Sequence, residues 1–151
     1  MGNDAATAKA VLLVVEDSDE DFDTIREAVA RSGMPIEVRR AADGDQCLEL
    51  LRGDDGAAHR SIMVLLDLNI PGMDGRESLS AIKSDPRLRH VPVVVHTTSS
   101  NPRDVESCYR AGANAYHVKP IRYPEHLGSL RDLVLYWFGQ VRPHLPERAE
   151  R

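Results

Sequence analysis

Five apolar residues in a row, Ile62-Met63-Val64-Leu65-Leu66, run directly into a carboxylate, Asp67. An uninterrupted apolar run of this length, bounded by turn formers, suits a strand covered on both faces, as in a parallel sheet. The strand must end near Asp67, because Pro71, Gly72 and Asp74-Gly75 crowd turn-forming residues behind it. That puts Asp67 at the carboxyl end of a central strand, where open α/β sheets bind their ligands.

The same arrangement recurs along the chain. Val11 to Val15 (VLLVV) is a second apolar run, and Glu16 and Asp17 follow it at once. Ile36 and Val38 mark a shorter, more polar strand expected at the sheet edge. Val91 to Val95 (VPVVV) precedes His96 and Thr97, and Ala115 to Val118 precedes Lys119-Pro120. Helical spacing fills the gaps. Phe22, Ile25, Ala28 and Val29 share a face that stops at Gly33, and Asp43-Gly44 opens a helix carrying Cys47, Leu48 and Leu51 that Gly53 closes. Asp74, with Glu77 three residues on, caps a helix burying Leu79 and Ile82, which has ended by Pro86. Asn101-Pro102 caps a helix expected to bury Val105, Cys108 and Tyr109 before Gly112. Pro124 opens the last helix. Strand and helix alternate five times, which predicts a parallel sheet with right-handed crossovers and helices on both faces. The expected fold is α/β, a (βα)5 flavodoxin-like doubly wound sheet in strand order 2-1-3-4-5.

The length of 151 residues fits one domain, and a charged content of 28% describes an ordinary globular chain. A net charge of −5 speaks against nucleic acid as a direct partner. No segment approaches the roughly 18–20 apolar residues of a membrane helix, and the N-terminus lacks the layout of a signal peptide. Cys47 and Cys108 form no CxxC and read as reduced core residues, so a cytoplasmic location is expected. Neither a GxGxxG nor a GKS/T loop is present, so nucleotide binding has no support.

Strand ends share one edge in such a sheet. Glu16, Asp17, Asp67, Thr97 and Lys119 would therefore meet in one crevice. Carboxylates ~4 Å apart repel by about 4 kcal/mol per pair at an effective dielectric near 20. A hard divalent cation relieves that repulsion, and Mg2+ takes carboxylates, carbonyls and water while leaving room for phosphate oxygens. Asp67 is the expected nucleophile for a phosphoryl group, with Thr97 and Lys119 holding the new oxygens. Asp19, Glu20 and Asp21 have a simpler explanation, since acids in a first helical turn favour its dipole.

These residues resemble those of the receiver domains of two-component response regulators, from Val11 to about Val134. The acidic pair matches Glu16-Asp17, the phosphoacceptor Asp67, the switch threonine Thr97 and the lysine Lys119. Thr97 follows Asp67 by 30 residues and Lys119 follows Thr97 by 22, both typical of the family. The 50 residues from Asp17 to Asp67 are slightly many, and the stretch Gly53 to Arg60 (GDDGAAHR), which reads as a surface loop, is expected to absorb the excess. The resemblance implies Mg2+ held by Asp17, Asp67 and the backbone carbonyl of Asn69, with Glu16 acting through water. It also implies a cis peptide bond between Lys119 and Pro120, and an aromatic switch at Tyr116 that turns inward as Thr97 moves. Asn69 and Ser99, two positions past the acceptor and the threonine, resemble the sites that tune the lifetime of the phosphoryl group in the family. The resemblance further implies a histidine kinase as the phosphoryl donor, and a phosphoacceptor with self-phosphorylation and self-dephosphorylation rather than an enzyme acting on other molecules. His96 stands where the family has an apolar residue and is expected to be buried and neutral, and His117 is expected to face a helix.

Residues 1–9 are small and polar and are expected to be disordered, 10–140 form the receiver with an extended last helix, and 141–151 are a tail. The short tail is expected to exclude an output domain. In the last helix Leu127, Leu130, Val134, Trp137 and Val141 recur at 3-4 spacing, with Phe138 beside them. Leu133, Leu135 and Tyr136 widen the stripe beyond what one sheet face covers. This tail and the stretch VVVHTTSSNPRDVESCYRAGANAYHVKP resemble single-domain regulators that partner bacterial phytochrome histidine kinases. Those dimerise through the last helix, which implies a homodimer interface on Leu127, Leu130, Val134, Trp137, Phe138 and Val141. The alternative is that Trp137 and Phe138 fold back on their own domain. Two other readings compete with the switch. A haloacid-dehalogenase-type phosphatase needs a carboxylate where Asn69 stands, and a never-phosphorylated binding module leaves the acid cluster without a use.

Overall fold

The computed structural model describes residues 9–53, 60–70 and 74–145. The expected disorder of 1–9 (apart from Lys9), the turn residues Pro71 and Gly72, and most of the 53–60 loop lie outside the described residues. Five parallel strands, β1 (Ala10–Val15), β2 (Ile36–Ala41), β3 (Ile62–Leu66), β4 (Val93–Thr97) and β5 (Ala115–Val118), form one sheet in the order β2-β1-β3-β4-β5. The helices between and after them are α1 (Asp19–Ser32), α2 (Gly44–Arg52), α3 (Gly75–Ser84), α4 (Pro102–Arg110) and α5 (Tyr123–Gly139). This is the expected flavodoxin-like order, with the polar β2 at an edge.

Side chains alternate across a strand, so each central strand feeds two cores. Val11, Leu13, Val15, Val64, Leu66, Val93 and Val95 pack with Leu51 of α2, Ile82 of α3 and Cys108 of α4. Leu12, Val14, Met63, Leu65 and Val94 pack on the other face with Ile25 and Val29 of α1 and Leu130 and Val134 of α5. Both cysteines are buried and unbridged, as the sequence implies, and burial pushes the Cys47 thiol up to about 12.

Three expectations change. β4 starts at Val93 and runs through Thr97, because Pro92 has no N–H to donate to the ladder and offers only its carbonyl, to Val64 N at 2.9 Å. Tyr109 is exposed rather than buried, since α4 turns only Cys108 fully into the core. The last helix differs most. Leu127, Leu130 and Val134 are buried in the chain's own core against α1 and the sheet, and Trp137 and Phe138 pack half-buried on it. The 3-4 stripe is consumed within the chain, so those three leucine and valine positions are not free to form a dimer interface. α5 stops at Gly139 with Gln140 as its cap, so Val141 lies beyond it. The face of α5 left in solvent carries Leu135 and Tyr136 instead.

Candidate functional site

The carboxyl ends of β1, β3, β4 and β5 bring the chosen side chains together. Glu16 follows β1 and its amide continues the ladder to Ala41 O at 3.3 Å. Its side chain is 2% exposed, and Oε2 accepts the Ser18 amide at 3.2 Å. Asp17, the next residue, is exposed at the mouth. Asp67 follows β3, its amide donating to Val15 O at 3.1 Å. Asp67 Oδ1 accepts the Asn69 amide at 3.1 Å, which fixes the carboxylate's rotation.

Lys119 is held from both ends. Its amide donates to Thr97 O at 2.7 Å, and its Nζ donates to Asp21 Oδ2 at 2.8 Å, Glu16 Oε1 at 2.9 Å and Asp67 Oδ2 at 3.2 Å. Burial disfavours the ammonium, but its hydrogen bonds to Asp21 and Glu16 outweigh it and hold the Lys119 pKa above its usual value. Burial likewise pushes Glu16 up to about 7 against the pull of Lys119. Lys119 therefore stays charged, with Glu16 as its most deeply buried partner.

Glu16, Asp17 and Asp67 can each offer an oxygen within 4.8 Å of the others. All three donors are hard oxygens, one of them open to solvent, so the set fits a small divalent cation with water or phosphate oxygens filling its other positions. Asn69 is exposed beside them, two residues after Asp67.

Thr97 is the fully buried last residue of β4, and its Oγ1 accepts the Ser99 amide at 3.4 Å. Tyr116 of β5 is half-buried, and its hydroxyl donates to Ser99 O at 2.9 Å. The Lys119–Pro120 bond is trans, contrary to the expected cis form, as no described peptide bond is cis. Trans is the intrinsically favoured isomer by about 0.5–1 kcal/mol, and with it Lys119 Nζ reaches all three carboxylates.

His96 is buried as expected, and burial holds its pKa well below the usual value. Its ring stacks on His126 of α5 at 5.2 Å. His117, its neighbour across the β4–β5 ladder, is half-buried.

Two features escaped the sequence. Asp21 reads as a first-turn acid in the sequence, yet it makes the shortest contact to Lys119 Nζ; its place one turn after Asp17 was the available signal. Arg76 donates to Asp104 Oδ1 at 2.6 Å, and Ser99 Oγ donates to Asp104 Oδ2 at 2.6 Å, tying α3, α4 and the loop after Thr97 together. No local spacing announces that link.

Comparison with known proteins agrees with this geometry. The probable methanogenesis regulatory protein FilR2 of Methanothrix harundinacea is 37% identical over 134 residues, covering 87% of this chain and 86% of FilR2. Response regulator Rcp1 of Synechocystis is 33% identical over 141 residues, 92% of this chain and 96% of Rcp1. The structure of the Mn2+-bound form of Rcp1 matches with a TM-score of 0.80 at 32% identity, over 89% of this chain and 99% of that one. The crystal structure of the phosphorylated cyanobacterial phytochrome response regulator RcpA matches with a TM-score of 0.82 at 36% identity, over 90% of this chain and 99% of that one. The family model of the response regulator receiver domain matches residues 12–131. With that match spanning the strands, the acid cluster and Lys119, the chain belongs to the response regulator receiver domain family.

Proposed function

We propose that this protein is a phosphorylation switch that takes a phosphoryl group from a histidine kinase onto Asp67. The observation that carries the reading is Lys119 Nζ at 3.2 Å from Asp67 Oδ2, beside three carboxylates gathered within 4.8 Å. An oxygen of Asp67 attacks phosphorus as the nitrogen–phosphorus bond of the donor phosphohistidine breaks, and the imidazole leaves with the bonding pair and takes up a proton. Asp67 is held for attack by the Asn69 amide. Lys119 carries a permanent positive charge to the developing phosphoryl oxygens, and the buried Thr97 supplies a hydroxyl at the same edge. Mg2+, held by Asp17, Asp67, Glu16 through water and the Asn69 carbonyl, would supply charge neutralisation to the transferred group. Thr97 and Tyr116 then carry the population shift to the face around β5. Hydrolysis of the acyl phosphate by the protein itself resets the switch.

The likeness to the phytochrome response regulator RcpA supports a phytochrome-type histidine kinase as the donor. A homodimer through the last helix is supported by Leu135 and Tyr136, 39% and 59% exposed on the outer face of α5. Trp137, Phe138 and Val141 would flank that contact. Sedimentation of the chain and of a Leu135→Glu, Tyr136→Glu variant tests it: the dimer reading expects the variant to lose half its mass, and two equal monomeric masses refute it.

Intact mass after incubation with acetyl phosphate tests the switch. Wild type should gain one phosphoryl group with Mg2+ and none without it, and Asp67→Asn should gain none. A wild type that gains nothing would leave a receiver-shaped binding module.

A further inference from the structure

Lys119 has three N–H protons, and each meets a different carboxylate: Asp21 at 2.8 Å, Glu16 at 2.9 Å and Asp67 at 3.2 Å. The ammonium is saturated. A further oxygen can reach it only if one of the three gives way.

The three partners differ in how firmly they are held. Glu16 is 2% exposed and its second oxygen is bound to the Ser18 amide, so it has no solvent to turn into. Asp67 is fixed through the Asn69 amide and is the group that would itself be modified. Asp21 sits in the first turn of α1, its side chain 29% exposed, outside the group of three acids that could share a cation. The helix dipole explains an acid at this position but not its reach to Lys119. Of the three, Asp21 has the most solvent to take in place of the ammonium, its side chain 29% exposed against 10% for Asp67 and 2% for Glu16.

We infer that Asp21 is a resting-state counter-ion of Lys119, which an incoming phosphoryl group displaces, so that Asp21 sets how tightly the site holds that group. The inference rests on Asp67 as phosphoacceptor. Asp21 orients the Lys119 amine toward the edge of the sheet while the site is empty of phosphate and competes for one of its protons when phosphate arrives. Glu16 keeps the amine in place once Asp21 lets go.

Beryllium trifluoride, which binds a receptive carboxylate as a phosphoryl analogue, separates these roles. Its affinity is titrated by 19F NMR at saturating Mg2+ in wild type, Asp21→Asn and Asp21→Glu. Asp21→Asn should bind roughly three- to fivefold tighter, the gain expected from removing one partly screened, charge-assisted competitor. Asp21→Glu, which retains the charge, should return toward wild type. Mg2+ affinity without beryllium fluoride, measured in parallel, should not rise in Asp21→Asn, so tighter binding cannot come from the cation. An Asp21 that only favours the α1 dipole would lower the melting temperature when replaced and leave beryllium fluoride affinity unchanged. Unchanged or weaker binding in Asp21→Asn overturns the inference and leaves the phosphoacceptor reading intact. A wild type that binds no beryllium fluoride overturns both.

Discussion

A Cβ atom on Gly75 would lie 2.6 Å from the carbonyl oxygen of Asp67. It would also lie 2.6 Å from Leu68 Cα, and both neighbours are backbone that cannot swing aside. The first turn of α3 therefore rests directly on the chain leaving β3, with the Gly75 amide bonded to Leu68 O at 3.3 Å. Gly75→Ala should cost about 1–3 kcal/mol through overpacking and displace the Asp67 carboxylate. Urea unfolding and the acetyl phosphate mass gain should both fall in this variant. A stable Gly75→Ala with wild-type phosphorylation would contradict the close approach.

The link from Arg76 through Asp104 to Ser99 should hold the loop after Thr97. The Ser99 amide bonds to Thr97 Oγ1, and the Asn101 amide to Ser99 Oγ. Arg76→Ala should speed hydrogen exchange at both amides while changing global stability by less than about 1 kcal/mol, because the ion pair is partly exposed. Unaltered exchange would show that the loop is held without it.

His96 should make the fold sensitive to mild acid. Burial first, and then Lys119, His126 and His117, keep its pKa well below the usual value. Below about pH 6.5 the unfolded chain binds a proton that the native state refuses, so stability is complete above that pH and declines as pH falls. Glu16 works in the opposite direction between its ordinary value and about 7, since its buried carboxyl takes up a proton more readily when folded. Comparison with His96→Leu isolates the histidine: the urea midpoint of wild type should drop more than that of the variant between about pH 7.5 and 5.5. Parallel pH profiles would rule out this role.

Leu130 is 2% exposed between α1 and the sheet. Leu130→Ala should cost about 2–5 kcal/mol through lost burial and a cavity. A cost under about 1 kcal/mol would mean that α5 docks loosely and that its stripe is available to another chain.

The sequence by itself determined the sheet and the acids at its edge. Apolar runs such as Val11–Val15 and Ile62–Leu66 can be satisfied only between two layers, and the carboxylate after each run must fall at the shared carboxyl edge. Backbone periodicity is local, so Glu16, Asp17, Asp67, Thr97 and Lys119 could be gathered without knowing any contact. Tertiary structure decided what neighbouring helices do to one another. Asp21 became a partner of Lys119 because α1 starts beside β5's exit, and Arg76 met Asp104 because α3 and α4 cover the same face of the sheet. The stripe of α5 has the same spacing whether a second chain or α1 covers it, and only packing distinguished the two. Periodicity tells which face is apolar, whereas which surface covers that face depends on the three-dimensional arrangement of the whole chain.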